Sequence, residues 1–139
     1  MANTSNGKGG RLRRILIIDD DRDLCEETAE ILSDEGHKVE TFSDPVKGLE
    51  AVKEDRFDLL LLDIKMPGLS GLEILKTLRS EGRKIPVLII TGNPLKNLGH
   101  SGDSNDEEQR VLRTADGIIG KPFDVPEMLS QIKKILPQE

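Results

Sequence analysis

Residues 59–71 have the sequence LLLLDIKMPGLSG, in which an apolar run ends at Asp63 and a Pro-Gly turn follows. A short apolar run bounded by turn residues predicts a buried strand of a parallel sheet. Three further apolar runs each end in a different polar group: residues 15–18 at Asp19, 87–90 at Thr91 and 118–120 at Lys121. Because open parallel sheets bind ligands at the carboxyl ends of their strands, we expect these polar ends to converge.

Strand and helix patterns alternate five times along the chain, which predicts a doubly wound, three-layer α/β sandwich. The charge-alternating residues 38–42 predict an edge strand. Asp21, Asp44, Ser70 and Asp124 are expected helix caps, and Gly36 and Gly82 expected helix ends. The predicted helices cover residues 22–35, 45–52, 71–81, 105–114 and 125–136. We expect one domain over residues 12–136, a disordered tail at 1–11, and a tail or linker start at 137–139.

Composition excludes several classes of function. The net charge is −6, and residues 1–14 contribute +4, so the remainder carries −10. This acidity, with no Trp, no Tyr and three Phe, argues against direct binding to nucleic acid or an anionic membrane. No apolar run approaches the roughly 20 residues that span a bilayer. The single cysteine, Cys25, is interpreted as a packing residue, and we expect a reduced, cytoplasmic location.

The polar strand ends have the chemistry of a phosphoryl-transfer site. Asp19, Asp20 and Asp63 would repel one another and therefore call for a cation, and oxygen ligands without His or Cys favour Mg²⁺. Asp63 stands alone after the most apolar strand and is the expected nucleophile. The Lys121 ammonium and the Thr91 hydroxyl would neutralise and bind the phosphoryl oxygens.

Each of these residues also has a simpler interpretation. The Asp triplet would cap the first helix, Asp63 would be a turn residue, Thr91 a strand end, and Lys121 a solvated lysine. For any single residue the simpler interpretation is at least a serious competitor. Four separate strand ends that supply ligands, nucleophile, hydroxyl and cation favour the functional one.

The sequence resembles the receiver domain of two-component response regulators over about residues 12–136. The resemblance lies in the segments 15–21 (ILIIDDD), 62–71 (LDIKMPGLSG), 89–92 (IITG) and 120–123 (GKPF). It implies a flavodoxin-like (βα)5 fold with a parallel sheet of strand order 2-1-3-4-5. It also implies a cytoplasmic phosphoprotein of a signal-transducing phosphorelay, with no enzymatic activity beyond its own phosphorylation and dephosphorylation.

The resemblance also assigns roles to residues. Asp63 would accept a phosphoryl group from a histidine kinase or phosphotransfer protein, and the new charge would switch a surface read by a downstream protein or output domain. Thr91 and Lys121 would each bind a phosphoryl oxygen, with a cis peptide between Lys121 and Pro122. The expected ligands of Mg²⁺ are Asp19, Asp20, Asp63 and the backbone carbonyl of Lys65.

Two features depart from the family pattern. Ile118 occupies the switch position where the family often has Tyr or Phe, so the aromatic switch is absent. The interval from Thr91 to Lys121 is about two helical turns longer than the family suggests, with the extra residues in the Gly-rich segment 92–105. This insertion is either a partner-specific element or, as the favoured interpretation, a tolerated loop. Lys65 and Asn93 occupy positions that tune dephosphorylation in the family, in a direction that the sequence does not give.

Two alternatives stay open at this stage. The missing aromatic residue permits a receiver-like interaction module that works without phosphorylation. The Asp19-x-Asp21 pattern after a strand also resembles Mg²⁺-dependent aspartyl phosphatases of the haloacid-dehalogenase type. That second alternative leaves Met66-Pro67 and Lys121-Pro122-Phe123 without an explanation, and Arg22 and Asp23 do not continue its motif.

Overall fold

The computed structural model describes residues 13–92 and 106–136. The expected tails, 1–11 and 137–139, and nearly all of the expected insertion lie outside these residues, as does Asn93. Strands and helices alternate in the order β1 (Arg14–Ile18), α1 (Arg22–Asp34), β2 (Lys38–Phe42), α2 (Pro45–Glu54), β3 (Leu59–Asp63), α3 (Gly71–Ser80), β4 (Val87–Thr91), α4 (Asp106–Leu112), β5 (Gly117–Gly120) and α5 (Val125–Ile135).

The five strands form one parallel sheet in the order β2-β1-β3-β4-β5, which confirms the predicted order 2-1-3-4-5. Ile18 lies opposite Leu62 in the register of β1 and β3, and Asp63 lies opposite Ile90 in that of β3 and β4. Strand β2 lies at the edge and is only partly buried, as its alternating charges predict. The register therefore brings the carboxyl ends of the central strands to the same level.

The core has two halves, one on each face of the sheet. Successive strand residues point to opposite faces, so Leu60 and Leu62 pack under α2, α3 and α4, while Leu59 and Leu61 pack under α1 and α5. All four leucines are 0 % exposed. Coverage on both faces explains why β3 is a continuous apolar run instead of an alternating one.

The helix caps follow the sequence prediction. The side chains of Asp21, Asp44 and Asp124 accept backbone N–H groups at the starts of α1, α2 and α5, and Ser70 forms a capping box with Glu73 at the start of α3. The chain takes positive φ angles at Gly36 and Gly82, immediately after α1 and α3. The predicted limits of α4, 105–114, are wider than the observed ones, because the chain turns at Arg113–Thr114 instead of continuing the helix.

Candidate functional site

The four strand ends singled out in the sequence lie at one edge of the sheet. Asp19 follows β1, Asp63 and Thr91 are the last residues of β3 and β4, and Lys121 follows β5. Asp19, Asp63 and Thr91 are 1 %, 5 % and 1 % exposed, although all three are polar. Burial of polar groups costs free energy unless they are paired, so this arrangement indicates a site and not an ordinary surface.

Three carboxylates form the centre of the site. Asp19, Asp20 and Asp63 each offer one oxygen, and these oxygens lie within 4.8 Å of one another. Asp19 and Asp63 are buried, whereas Asp20 is exposed. Negative charges at this distance repel one another strongly in a partly buried setting, and a divalent cation among them would remove the repulsion.

Asp19 is held in place by its backbone and by one of its two carboxylate oxygens. Its N–H donates to the Phe42 carbonyl (3.1 Å), and its Oδ1 accepts the N–H of Asp21 (3.0 Å). Its Oδ2 lies 3.0 Å from Nζ of Lys121, but the geometry is that of an ion pair: within the described parts of the chain, Oδ2 has no hydrogen-bond partner. This buried carboxylate oxygen is therefore held by charge alone.

Lys121 supplies the positive charge of the site. Its Nζ lies 3.0 Å from Asp19 Oδ2 and 3.7 Å from Asp63 Oδ1. The backbone N–H of Lys121 donates to the Thr91 carbonyl at 2.8 Å. The Lys121–Pro122 peptide is cis, as the resemblance implied. Burial lowers the pKa of Lys121, but the contacts with Asp19 and the charge of Asp63 outweigh it, so the pKa is raised overall. The ammonium therefore stays charged at neutral pH.

Asp63 has a perturbed pKa. Burial is the largest cause of the shift and the negative charge of Asp19 is the second. Together they raise this pKa from 3.8 to about 7, while Lys121 opposes the shift. At neutral pH, part of the population would therefore carry a proton on Asp63. A cation bound among the carboxylates would favour the deprotonated form, which is the nucleophilic one.

The loop after β3 is fixed by a close backbone contact with α3. The N–H of Gly71 donates to the Ile64 carbonyl at 2.8 Å. A Cβ atom at position 71 would lie 1.9 Å from the Asp63 carbonyl oxygen, so only glycine fits. Ile64 and Met66 are each 7 % exposed and anchor the loop in the core, while the Lys65 side chain is exposed. The expected role of the Lys65 carbonyl stays a prediction.

The donor set fits Mg²⁺. The three side chains of the cluster offer carboxylate oxygens, the ligands that hard divalent cations prefer, and Asp19 Oδ2 is buried without a hydrogen-bond partner in the described parts. The cluster leaves one side open to solvent through Asp20. An Mg²⁺ ion usually keeps several waters and binds few carboxylates, which suits such a partly open site.

Cys25 makes a contact that the sequence analysis missed. It is buried at 3 % exposure, which fits the predicted packing role, but its thiol also donates to the Asp19 carbonyl at 3.2 Å. Burial, followed by the charges of Asp19 and Asp21, raises the pKa of Cys25 to about 12, so the thiol keeps its proton. The spacing of six residues between Asp19 and Cys25 was the available signal, since it places Cys25 on the first turn of α1.

Ile118 lies on β5 beside α4. It is partly buried against the half of the core that α2, α3 and α4 cover. Together with Leu112, Ala115 and Gly117 it lines a surface pocket of about 410 Å³ between α4 and β5. The structure thus places the expected switch position beside an open pocket.

Fold and site together define a flavodoxin-like α/β domain with an acidic cluster at the carboxyl edge of its sheet. The family model described as the response regulator receiver domain matches residues 15–133, and the chain belongs to this family. The resemblance seen in the sequence motifs is confirmed.

Individual relatives agree. The chain is 40% identical over 124 residues to the response regulator MprA of Mycobacterium leprae. The aligned stretch covers 88% of this chain and 50% of that protein. The chain therefore spans about half the length of the curated relatives it matches.

Solved structures give the same fold. The response regulator TrrA of Thermotoga maritima, solved in complex with Mg²⁺-BeF, has 27% identity and a TM-score of 0.77, covering 90% of this chain and 100% of that chain. A CheY-like receiver domain protein of Methanospirillum hungatei has 31% identity and a TM-score of 0.73, covering 89% and 93%. In the parts of the chain that the structure describes, no helix has the length and apolar character of a membrane span.

Proposed function

We propose that this receiver domain accepts a phosphoryl group on Asp63 from a histidine kinase or a phosphotransfer protein, in a reaction that depends on Mg²⁺. The observation that carries the proposal is the position of Asp63. Its carboxylate is 5 % exposed, lies within 4.8 Å of oxygens of Asp19 and Asp20, and is 3.7 Å from the Lys121 ammonium. This is the charge pattern that phosphoryl transfer to a carboxylate needs.

The residues of the chain have distinct roles in the proposed reaction. A carboxylate oxygen of Asp63 attacks phosphorus, a new P–O bond forms, and the P–N bond of the donor phosphohistidine breaks. The imidazole nitrogen leaves with the bonding electrons and takes up a proton from solvent. Lys121 pairs with one phosphoryl oxygen and the Thr91 hydroxyl binds another. Both side chains stabilise charge that the incoming group brings into the site.

Asp19, Asp20, Asp63 and the Lys65 backbone carbonyl would hold Mg²⁺. The ion would supply charge neutralisation for the phosphoryl oxygens and would lower the pKa of Asp63. The buried Asp19 Oδ2, which has no hydrogen-bond partner in the described residues, supports this assignment.

An acyl phosphate on Asp63 replaces the single charge of the carboxylate with the nearly two negative charges of a phosphoryl group, beside Asp19 and Lys121. We propose that this charge changes a surface that a downstream protein or an output domain recognises. The twofold greater length of the curated relatives supports an output domain as one such partner. The acidic body and the absence of Trp and Tyr support a regulatory domain that does not bind nucleic acid itself, and the single cysteine, Cys25, supports a cytoplasmic location.

Intact mass spectrometry tests the proposal directly. The protein is incubated with acetyl phosphate and Mg²⁺, and we expect a mass increase of one phosphoryl group that EDTA prevents. Asp63→Asn should abolish the increase. The control Asp34→Asn, an exposed residue at the end of α1, should leave it unchanged. An unmodified wild-type protein, or equal labelling of Asp63→Asn, would contradict the proposal.

A receiver-like module that acts without phosphorylation is the second candidate, and Ile118 beside an open pocket is the observation that favours it. Amide spectra separate the two candidates. Mg²⁺ with a beryllofluoride mimic should move the amide signals of Asp63, Thr91 and Lys121 if Asp63 is the acceptor. Unchanged spectra would favour the second candidate. The phosphatase alternative is set aside because the chain belongs to the receiver family.

A further inference from the structure

Cys25 lies directly behind the acidic cluster and has no part in the function proposed so far. It is in the first turns of α1, is 3 % exposed, and its thiol donates to the Asp19 carbonyl oxygen at 3.2 Å. Its own N–H donates to the Asp21 carbonyl at 3.0 Å. Cys25 therefore joins the start of α1 to the Asp19–Asp21 turn through its backbone and through its side chain.

The contact falls on the peptide that links the two consecutive carboxylates. The Asp19 carbonyl lies beyond the last residue of β1, and its peptide continues into Asp20. The Asp19 N–H and Oδ1 are already hydrogen-bonded, to Phe42 and Asp21. The buried Oδ2, which has no hydrogen-bond partner in the described part of the chain, faces Lys121 and the acidic cluster. The thiol contact adds a hydrogen bond at the Asp19 carbonyl, so Asp19 is held at its N–H, its carbonyl and its Oδ1.

We propose that Cys25 is a positioning residue for the cation site, and that its S–H···O contact fixes the peptide that presents Asp19 and Asp20 together. The inference rests on the proposed Mg²⁺-dependent function. A thiol is a weak donor, but it is compact and apolar enough to be buried beneath the turn. Groups that orient metal ligands commonly affect metal affinity even though they never contact the ion.

The test compares three variants by Mg²⁺ titration, followed through amide chemical shifts. Cys25→Ala removes the donor, Cys25→Ser keeps one, and Thr28→Ala removes a similar small group from a buried position further along α1. We expect Cys25→Ala to weaken Mg²⁺ binding about three- to tenfold. Cys25→Ser and Thr28→Ala should stay within about twofold of the wild type.

A measurement without metal supports the same distinction. The amide ¹⁵N shift of Asp20 responds to hydrogen bonding at the Asp19 carbonyl, so in EDTA it should change in Cys25→Ala more than in Thr28→Ala. Unchanged Mg²⁺ affinity in Cys25→Ala would overturn the inference. So would equal weakening in Thr28→Ala, which indicates general loosening of α1, or a Cys25→Ser variant as weak as Cys25→Ala. Failure of the wild type to bind Mg²⁺ would instead overturn the proposed function.

Discussion

The carboxyl ends of β1 and β3 differ from the α4–β5 region in how completely they are packed. The last four residues of β1 and all of β3 are buried, and so is Asp19. Three of the four residues of β5 are only partly buried, and a pocket of about 410 Å³ lies between this strand and α4. The acidic site is therefore built on the best-packed strands, while the neighbouring region has space to rearrange.

Polar contacts also hold the α4–β5 region in place. The Arg79 guanidinium, on α3, donates to the carbonyls of Ile85, Arg83 and Thr114 and lies 3.5 Å from Asp116. Asp116 in turn accepts the N–H of Val87 at 2.9 Å. These contacts tie the turn before β5 to α3 and to the start of β4. Because the two regions are held by different kinds of contact, we expect substitutions in them to change the stability by different amounts.

The largest effect on stability is expected at Gly71, where the backbone of Asp63 leaves no space for an added atom. In Gly71→Ala, the new Cβ would lie 1.9 Å from the Asp63 carbonyl oxygen, so the backbone must move. We expect the free energy of unfolding to fall by about 3 kcal/mol or more, measured by urea denaturation.

Gly92→Ala is the matched control for this variant. Among the residues that the structure describes, no heavy atom lies within 4 Å of a Cβ added at position 92, so the change should stay within about 0.5 kcal/mol. Equal losses in the two variants would show that the acidic region is not packed more tightly than its surroundings.

The second prediction concerns the pH dependence of stability. The folded protein binds a proton on Asp63 up to about pH 7, whereas an unfolded chain releases it near 3.8. Because the folded state holds more protons between these values, the raised pKa makes stability fall as the pH rises through this window. Asp63→Asn removes the effect and should be more stable than the wild type at pH 8, on the order of 2 kcal/mol, and less so near pH 5.

Urea denaturation in EDTA at both pH values measures this difference. Asp34→Asn is the control, because Asp34 is exposed, and its pH profile should match the wild type. Adding Mg²⁺ should stabilise the wild type more than Asp63→Asn, because the ion favours the ionised carboxylate. A stability difference that does not change with pH would contradict the raised pKa of Asp63.

The third prediction tests the polar contacts of the α4–β5 region. Arg79→Ala removes three hydrogen bonds to carbonyls and one ion pair, and we expect a loss of about 1 to 2 kcal/mol. In this variant, the rate of amide hydrogen exchange should increase more in α4 and β5 than in β1. Lys76→Ala removes an exposed ion pair between α3 and Glu107 and should cost about 0.5 kcal/mol or less. Similar losses in both variants would contradict the special role of Arg79.

Local signals in the sequence were sufficient to predict the alternating strands and helices, while the strand order followed from the family resemblance. The apolar runs, the caps at Asp21 and Ser70, and the glycines after α1 and α3 act within a few residues, so they can be recognised without coordinates. The candidate site followed because its side chains stand at strand ends. The Cys25 contact and the clash at position 71 were not predicted, because both depend on how a helix lies against a strand end.

The smallest effect is expected at Ile118, where the α4–β5 region has room. Ile118 lines the pocket of about 410 Å³, so the ring in Ile118→Phe can enter it and stability should change by less than about 0.5 kcal/mol. The neighbouring Ile119 is 1 % exposed and packs between the sheet, α1 and α5, so Ile119→Phe should cost about 1 to 3 kcal/mol. Thermal and urea unfolding of the two variants measure this difference in stability. Equal losses would mean that the pocket cannot accept a larger side chain, and the contrast with the tightly packed acidic region would not extend to β5.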